Sequence, residues 1–335
     1  MRINEDDVEI LNATSNHATD WSKTFLTAMN SCRWMNRYIK DQNISELDVS
    51  ISFSQDIRKE LKADRFLIAY YAKKPVGILR MDEYWVPKAV RIISHFPLVI
   101  PKFQRKGIGR LLVKAGVQQA QSEGVVDVWS ECWSKDMREI KLYRTFYERI
   151  GFTKKSNRLE MICFTKAFNE DHMTEIKGLE ISKSDEITDE LVQTISQSYA
   201  KSKDKLHVIE NLRNPKITES FLKKTRQSFL EIGFKIDCVV AKYNKKLCAG
   251  LLTATSKNRG MVLEIGVIPE FRKLKIAQHL LELYLYTIKS QQINEVALGV
   301  DEENIPAINL YEKLGFSKSW NGMLMLLEDK NKLGL

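Results

Sequence analysis

The hexapeptide Gln104-Arg105-Lys106-Gly107-Ile108-Gly109 carries the most legible chemistry in this 335-residue sequence. Two glycines one residue apart let backbone N–H groups approach an anion closely. Apolar residues then recur at helical spacing, Ile108, Leu111, Leu112 and Ala115, so the turn opens an amphipathic helix whose N-terminal dipole also favours an anion. Lys102, Arg105, Lys106, Arg110 and Lys114 surround it with positive charge. The turn is a candidate pyrophosphate cradle, and a simple tight turn is the competing reading. It is neither a Rossmann G-x-G-x-x-G nor a P-loop, because the upstream glycines and the G-K-[ST] triplet are missing.

The elements that position this turn occur twice. Val99-Ile100-Pro101-Lys102-Phe103-Gln104-Arg105-Lys106 is echoed by Val267-Ile268-Pro269-Glu270-Phe271-Arg272-Lys273, and Tyr147-Glu148-Arg149-Ile150-Gly151-Phe152 by Tyr311-Glu312-Lys313-Leu314-Gly315-Phe316. Proline and tyrosine lie 46 residues apart in the first half (147 minus 101) and 42 in the second (311 minus 269). Recurrence of both the words and the spacing marks an internal repeat. Each half reads strand, turn, helix, strand, helix. The first strands are Arg91–Ile100, where Pro97 requires an edge or bulge position, and Met261–Ile268. The second strands are Val125–Trp129 and Glu295–Val300, and the last helices stop at Gly151 and Gly315, placed as left-handed caps. Upstream, Phe66–Ala72 with Pro75–Leu79, and Asp237–Tyr243 with Leu247–Leu252, read as hairpins. Strands alternating with helices predict an α/β protein with a parallel strand pair.

At these residues the chain resembles the GNAT superfamily of acyl-CoA-dependent N-acyltransferases, whose motif [QR]-x-x-G-x-[GA] follows a strand carrying V-x-P. Val99 to Gly109 matches throughout, and the two Tyr-to-Phe segments resemble the family's final Y-E-[KR]-[LI]-G-F. The resemblance covers both halves. It implies two tandem GNAT folds of α/β class (an α+β mixed sheet), at 1–167 and 178–335, joined by a polar linker at 168–177.

The resemblance also implies acetyl-CoA as cofactor. Leu98, Val99 and Val267 would pair with the pantetheine arm through their backbone, and the loop Gln104, Arg105, Lys106, Gly107, Ile108, Gly109 and Arg110 would hold the pyrophosphate. In the second half, Arg272, Lys273 and Ala277 occupy the loop, but Lys275 replaces Gly107, so its Cβ is expected to restrict backbone approach. Asn304 and Tyr311 there resemble the family's pantetheine-contacting Asn and general-acid Tyr, where the first half has Ile140 and Tyr147.

Acetyl transfer needs an amine to lose a proton and a phenol to protonate the departing thiolate, and thiol and phenol have comparable pKa values, about 8.5 and 10. Tyr311 is the first candidate acid, with Tyr147 its equivalent; packing against the Gly-Phe turn is the alternative for each. Glu264, five residues before Pro269, stands where some family members place a base. Alternation puts Leu263, Ile265 and Val267 on the apolar face and Glu264 opposite, a solvated position in the competing reading. Phe96 occupies the equivalent site in the first half, which leaves neighbouring His95 as the titratable candidate on that strand.

The net charge of +9 (52 basic against 43 acidic residues) raises nucleic acid as a partner. However, residues 1–170 hold 28 basic against 21 acidic residues and 171–335 hold 24 against 22. The excess therefore gathers in the half with the phosphate-type turn, which makes nucleic acid an unlikely partner and a small-molecule or peptide amine the expected one. Five cysteines without a C-x-x-C pair, among them Cys32, fit reduced thiols. No apolar run approaches 18 residues and the first residues are acidic, so the expectation is a cytoplasmic protein without membrane contact. The histidines lack metal-ligand spacing, and no metal is expected. The acceptor pocket is expected from helices within Thr19–Leu61 and Asp189–Leu230, with Trp21, Trp34 and Tyr38 lining it or simply packing. Two other readings remain: one or both halves serve as a non-catalytic acyl-CoA scaffold or sensor, or the chain transfers an aminoacyl group from tRNA. The well-formed loop argues against the latter.

Overall fold

Apolar runs flanking short Lys-bearing turns fold as hairpins in both halves. The turn residues Ala72 and Lys73, and Asn244 and Lys245, take the left-handed conformation that a two-residue hairpin requires. In this computed structural model the described residues are 3–31, 44–58, 65–169, 173–202, 204, 207 and 210–335. Cys32, Trp34 and Tyr38 lie outside them.

In chain order the elements are β1 (Val8–Asn12), α1 (Ala18–Met29), α2 (Glu46–Arg58), β2 (Arg65–Tyr71), β3 (Lys74–Glu83), β4 (Ala89–Ile92), β5 (Leu98–Val99), α3 (Ile108–Ser122), β6 (Asp127–Ser134), α4 (Met137–Arg149), β7 (Phe152–Phe164), β8 (Leu179–Ser184), α5 (Asp189–Ser198), α6 (Pro215–Glu231), β9 (Lys235–Tyr243), β10 (Lys246–Thr255), β11 (Gly260–Val267), α7 (Ile276–Ser290), β12 (Glu295–Asp301), α8 (Ile305–Lys313) and β13 (Ser317–Leu327). This is a mixed α/β architecture, as the alternation predicts.

Two compact units result, but they do not follow the halves of the sequence. One comprises Met1–Lys155 with Gly322–Leu335, and the other Ser156–Asn321. The first unit therefore takes in the last strand segment of the chain and the second begins within β7, where the sequence reading places boundaries at 167 and 178. The reason is apolar patterning. Met323, Met325, Leu327 and Leu333 are buried in the first unit's core, and Leu159, Met161 and Cys163 in the second's.

In the first unit β1, β2, β3 and β4 are antiparallel and β6 runs parallel to β4 from Ala89↔Asp127 to Ile92↔Ser130. The expected single strand Arg91–Ile100 is broken. β4 ends at Ile92, His95 is left-handed (φ 75°), the Phe96–Pro97 peptide is cis, and pairing resumes only at β5, against β3. Pro97 offers no N–H to a ladder, so the break falls where the sequence required an edge or bulge. The other expected strand, Val125–Trp129, begins at Asp127 and continues to Ser134. Trp21 is a packing residue, 3% exposed and stacked on Phe53 with ring centroids 4.6 Å apart.

In the second unit the order β7-β12-β11-β10-β9-β8 surrounds one parallel pair, β11 with β12. Gly151 (φ 99°) and Gly315 (φ 88°) close α4 and α8 as left-handed caps, one in each unit.

Candidate active site

Both loops that follow the V-x-P strands have the same backbone. In the first unit Arg105 (φ 58°) and Gly107 (φ 95°) are left-handed, and Gly107 is the N-cap of α3. In the second unit Lys273 (φ 68°) and Lys275 (φ 60°) are left-handed, and Lys275 caps α7. No side chain caps either helix, which leaves the first-turn amides directed outward, as an anion cradle needs. The strand ends are held alike: Gln104 Nε2 donates to the Val99 carbonyl at 2.9 Å, and Arg272 Nε to the Val267 carbonyl at 3.3 Å.

The backbone at Lys275 thus follows the same left-handed path as at Gly107. Open space surrounds Gly107, so a Cβ there meets no atom within 4 Å, and the second unit simply carries the conformational cost of a left-handed non-glycine residue, about 1 kcal/mol. Replacing Lys275 by Gly should therefore raise stability by up to about 1 kcal/mol, measured by denaturant titration; a loss of stability would show that the loop is not strained.

Around the first loop, the Lys106 ammonium sits 5.2 Å from the Phe103 ring centroid, and Arg110 makes a loose exposed pair with Glu5 at 3.8 Å. Neither interaction is strong enough to withhold these cations from a phosphate.

The residues meant for chemistry are disposed differently in the two units. In the first, Tyr147 is fully buried and its hydroxyl donates to the Phe96 carbonyl at 2.6 Å; Tyr143 donates to the same carbonyl. Burial raises both phenols well above their ordinary pKa. The Trp133 amide donates to Ser94 Oγ at 2.9 Å, and Ser94 Oγ also meets His95 Nδ1 at 3.1 Å. His95 Nε2 has no partner, and burial lowers its pKa against the opposing charges of Glu139 and Glu131. The Trp133 amide and the Phe96 carbonyl are therefore satisfied by the protein's own side chains.

In the second unit β11 pairs with β12 only from Gly260↔Val296 to Val262↔Leu298, and then diverges. Glu264 lies in the divergent part. It occupies the more deeply buried face of β11, opposite to the face that the apolar alternation suggested: Leu263, Ile265 and Val267 are half-buried, whereas Glu264 is 7% exposed. Gly266 explains this inversion. A Cβ there would sit 2.2 Å from Ser198 Oγ, so only glycine admits the end of α5 and with it Tyr199.

Burial pushes the Glu264 carboxyl up to about 7; the Tyr199 hydroxyl and the Ile265 amide, the latter at 3.1 Å, oppose this, Asp204 reinforces it and Arg158 counters it. The Tyr199 hydroxyl lies close enough to favour the carboxylate without ideal hydrogen-bond geometry. Tyr311, on α8, is also 7% exposed, and its phenol is raised by burial and by the nearby charges of Glu264 and Asp204. Asn304 caps α8 with its side chain unused as a cap. Glu264 and Tyr311 thus share one buried environment, together with Arg158, Tyr199 and Asp204. Sequence reading missed these last three because no periodicity or spacing links them; Arg158 even belongs to the first half of the repeat.

Comparison with known proteins agrees with this architecture. The model of the acetyltransferase (GNAT) family matches residues 32–152 and 206–316. The solved tandem GNAT protein from the clavulanic acid biosynthesis pathway superimposes with a TM-score of 0.63 at 13% identity, over 95% of this chain and 98% of that one. A GCN5-related N-acetyltransferase from Sphaerobacter thermophilus does so with 0.60 at 14%, over 97% and 96%. In sequence, the N-alpha-acetyltransferase of Sulfurisphaera tokodaii is 40% identical over 65 residues, 19% of this chain and 39% of that protein, and its namesake from Saccharolobus solfataricus 43% over 61 residues, 18% and 36%. This chain therefore covers well under half of either relative's length. The doubled family match, which spans most of the sequence, and the repeated strand–loop–helix geometry place the chain in the acetyltransferase (GNAT) family, with the family's domain present twice.

Proposed function

We propose that the protein is an acetyl-CoA-dependent N-acetyltransferase that modifies a primary amine by direct attack in a ternary complex, and that the reaction takes place in the second unit. The observation that carries this reading is the convergence of Glu264 and Tyr311 beside the divergence of β11 from β12. The bound acetyl-CoA would supply the acetyl thioester. The left-handed loops and uncapped helix starts suit its pyrophosphate, with Arg272, Lys273 and Ala277 in the second unit and the Gln104–Arg110 loop in the first. Leu98, Val99, Val267 and Asn304 stand along the path of its arm.

Glu264, with its carboxyl near 7, is matched to accept a proton from an ammonium group close to neutral pH, directly or through water. Tyr311 donates its proton to the leaving sulfur. Backbone N–H groups of β11 that face β12 beyond Val262, apart from the Ile265 amide that donates to Glu264, are suited to polarise the thioester carbonyl. The short likeness to N-alpha-acetyltransferases supports an α-amine acceptor. Four buried free cysteines, together with the lack of any apolar membrane-length helix among the described residues, support a cytoplasmic setting.

A specific observation favours a second role for the first unit. The hydroxyls of Tyr143 and Tyr147 are both committed to the Phe96 carbonyl, so this unit has no free phenol at the family's acid position and reads as an acyl-CoA-binding scaffold.

Thiol release from acetyl-CoA by the full-length protein, measured across peptides with free N-termini and simple alkyl amines, tests the proposal. Turnover with at least one amine is expected. Acetyl-CoA binding without turnover on any amine would leave only the scaffold role.

A further inference from the structure

A buried ion pair that neither the repeat nor the family motif contains stands within electrostatic reach of Glu264 and Tyr311. Arg158 of β7 is in register with Asp301 of β12, and its Nη1 donates to both carboxylate oxygens of Asp204, at 3.2 and 3.1 Å. The side chains are only 11% and 5% exposed. Asp204 also accepts the His207 amide at 3.3 Å, and its own amide donates to Ser202 Oγ at 3.1 Å. The His207 ring packs edge-on to Tyr199, with centroids 4.6 Å apart; burial pushes it down to about 4, so it is neutral at pH 7. Two residues before Arg158, Ser156 donates to Asp301 at 2.7 Å, and Asp301 accepts the Glu303 amide at 2.8 Å, just ahead of the α8 cap. One strand therefore anchors the group beside Glu264 and the turn that launches the Tyr311 helix.

We propose that Arg158 and Asp204 are positioning residues for acetyl transfer: their buried pair holds Tyr199 and Asp204 beside Glu264 and sets the electric field across the Glu264 carboxyl and the Tyr311 hydroxyl. This rests on the reading of Glu264 as the base. A buried ion pair contributes little to stability compared with well-packed apolar side chains, so its presence beside the acid and base is better explained by what it does to them. Among the described residues, the charged and titratable groups facing Glu264 are Tyr199 after α5, Asp204 in the segment that follows, Arg158 of β7 and Tyr311 of α8, with His207 and Asp301 behind them. The Asp204 carboxylate opposes ionisation of Glu264, whereas the Arg158 cation favours it. Removing one or the other must therefore act in opposite directions.

The test is the pH dependence of kcat/KM for the full-length protein with acetyl-CoA and an accepted peptide amine. The wild type should gain activity as pH rises through about 7, because the active base is the carboxylate, and Glu264→Gln should abolish that limb. Asp204→Asn should move the limb to lower pH by about half a unit or more, and Arg158→Met should move it to higher pH, whereas Arg158→Lys, which keeps the cation, should leave it near the wild-type position. Thermal melts of each variant separate these shifts from loss of folding; if Arg158→Met does not fold, Arg158→Gln takes its place, and Asp204→Asn is decisive alone. A limb that Glu264→Gln removes but that Asp204→Asn leaves in place, or that both charge removals move the same way, overturns the positioning role. A limb that survives Glu264→Gln overturns the underlying assignment instead.

Discussion

Tyr311→Phe should lower kcat by about 10²- to 10³-fold while changing KM little, and Tyr147→Phe should leave kcat essentially unchanged. The two tyrosines occupy the same place in the repeated Tyr-Glu-x-x-Gly-Phe word, so sequence alone makes them equivalent. Their surroundings do not. The Tyr147 hydroxyl is consumed by the Phe96 carbonyl, and the loss of that bond should cost only about 1 kcal/mol of stability, since the Tyr143 hydroxyl still satisfies the same oxygen. Among the described residues of the second unit, no side chain holds the Tyr311 hydroxyl. Burial and the nearby charges of Glu264 and Asp204 raise its pKa and keep it protonated. Phe at position 311 preserves the ring and its packing on Phe316, so a fall in kcat can be ascribed to the missing proton. Glu264→Gln should produce a loss of the same order. Steady-state thiol release with the three variants, alongside thermal melts, decides the matter. Unchanged turnover in Tyr311→Phe would remove that residue from the acid role, and a collapse in Tyr147→Phe without loss of folding would move the chemistry to the first unit.

The contrast between these tyrosines shows which parts of the molecule the sequence reveals. Local signals are dependable: the hairpin turns at residues 72–73 and 244–245, the glycine caps at 151 and 315, and the helix beginning at Ile108 all form where residue type and spacing place them. Signals that depend on a distant partner are not. Glu264 looks solvated by alternation, yet it is buried because Gly266 admits Ser198. Lys275 departs from the glycine pattern, yet its backbone takes up the glycine-like conformation at modest cost. Arg158 cannot be foreseen as a neighbour of Asp204, because a strand segment of the first sequence half belongs to the second unit. The same exchange hides the true boundaries: apolar alternation in β7 and β13 reports that each strand is buried, but not against which core.

That exchange leads to the second large effect. A fragment ending at residue 167 should fail to fold cooperatively, even though it contains one complete copy of the sequence repeat. It lacks Met323, Met325 and Leu333, each at most 2% exposed, and Leu327 at 6%, all of which belong to the first unit's core. Removing a single buried side chain of this size costs about 2–5 kcal/mol, so the loss of four approaches or exceeds the whole stability of an ordinary domain, about 5–15 kcal/mol. The fragment also leaves Gly151 without the Glu328 and Asp329 amides that donate to its carbonyl, and Lys155 without its Glu328 partner. Joining residues 1–155 through a flexible Gly/Ser linker to 322–335 restores every one of these contacts and should recover a cooperative melt. Circular dichroism on the two polypeptides makes the comparison. If residues 1–167 alone unfold cooperatively near the midpoint of the joined form, the unit is the sequence half after all and the C-terminal strand contributes nothing essential to it. If only the joined form does so, acetyl-CoA titrations of the first unit must use that form, because a negative result with the shorter fragment would report unfolding, not the quality of the Gln104–Arg110 loop.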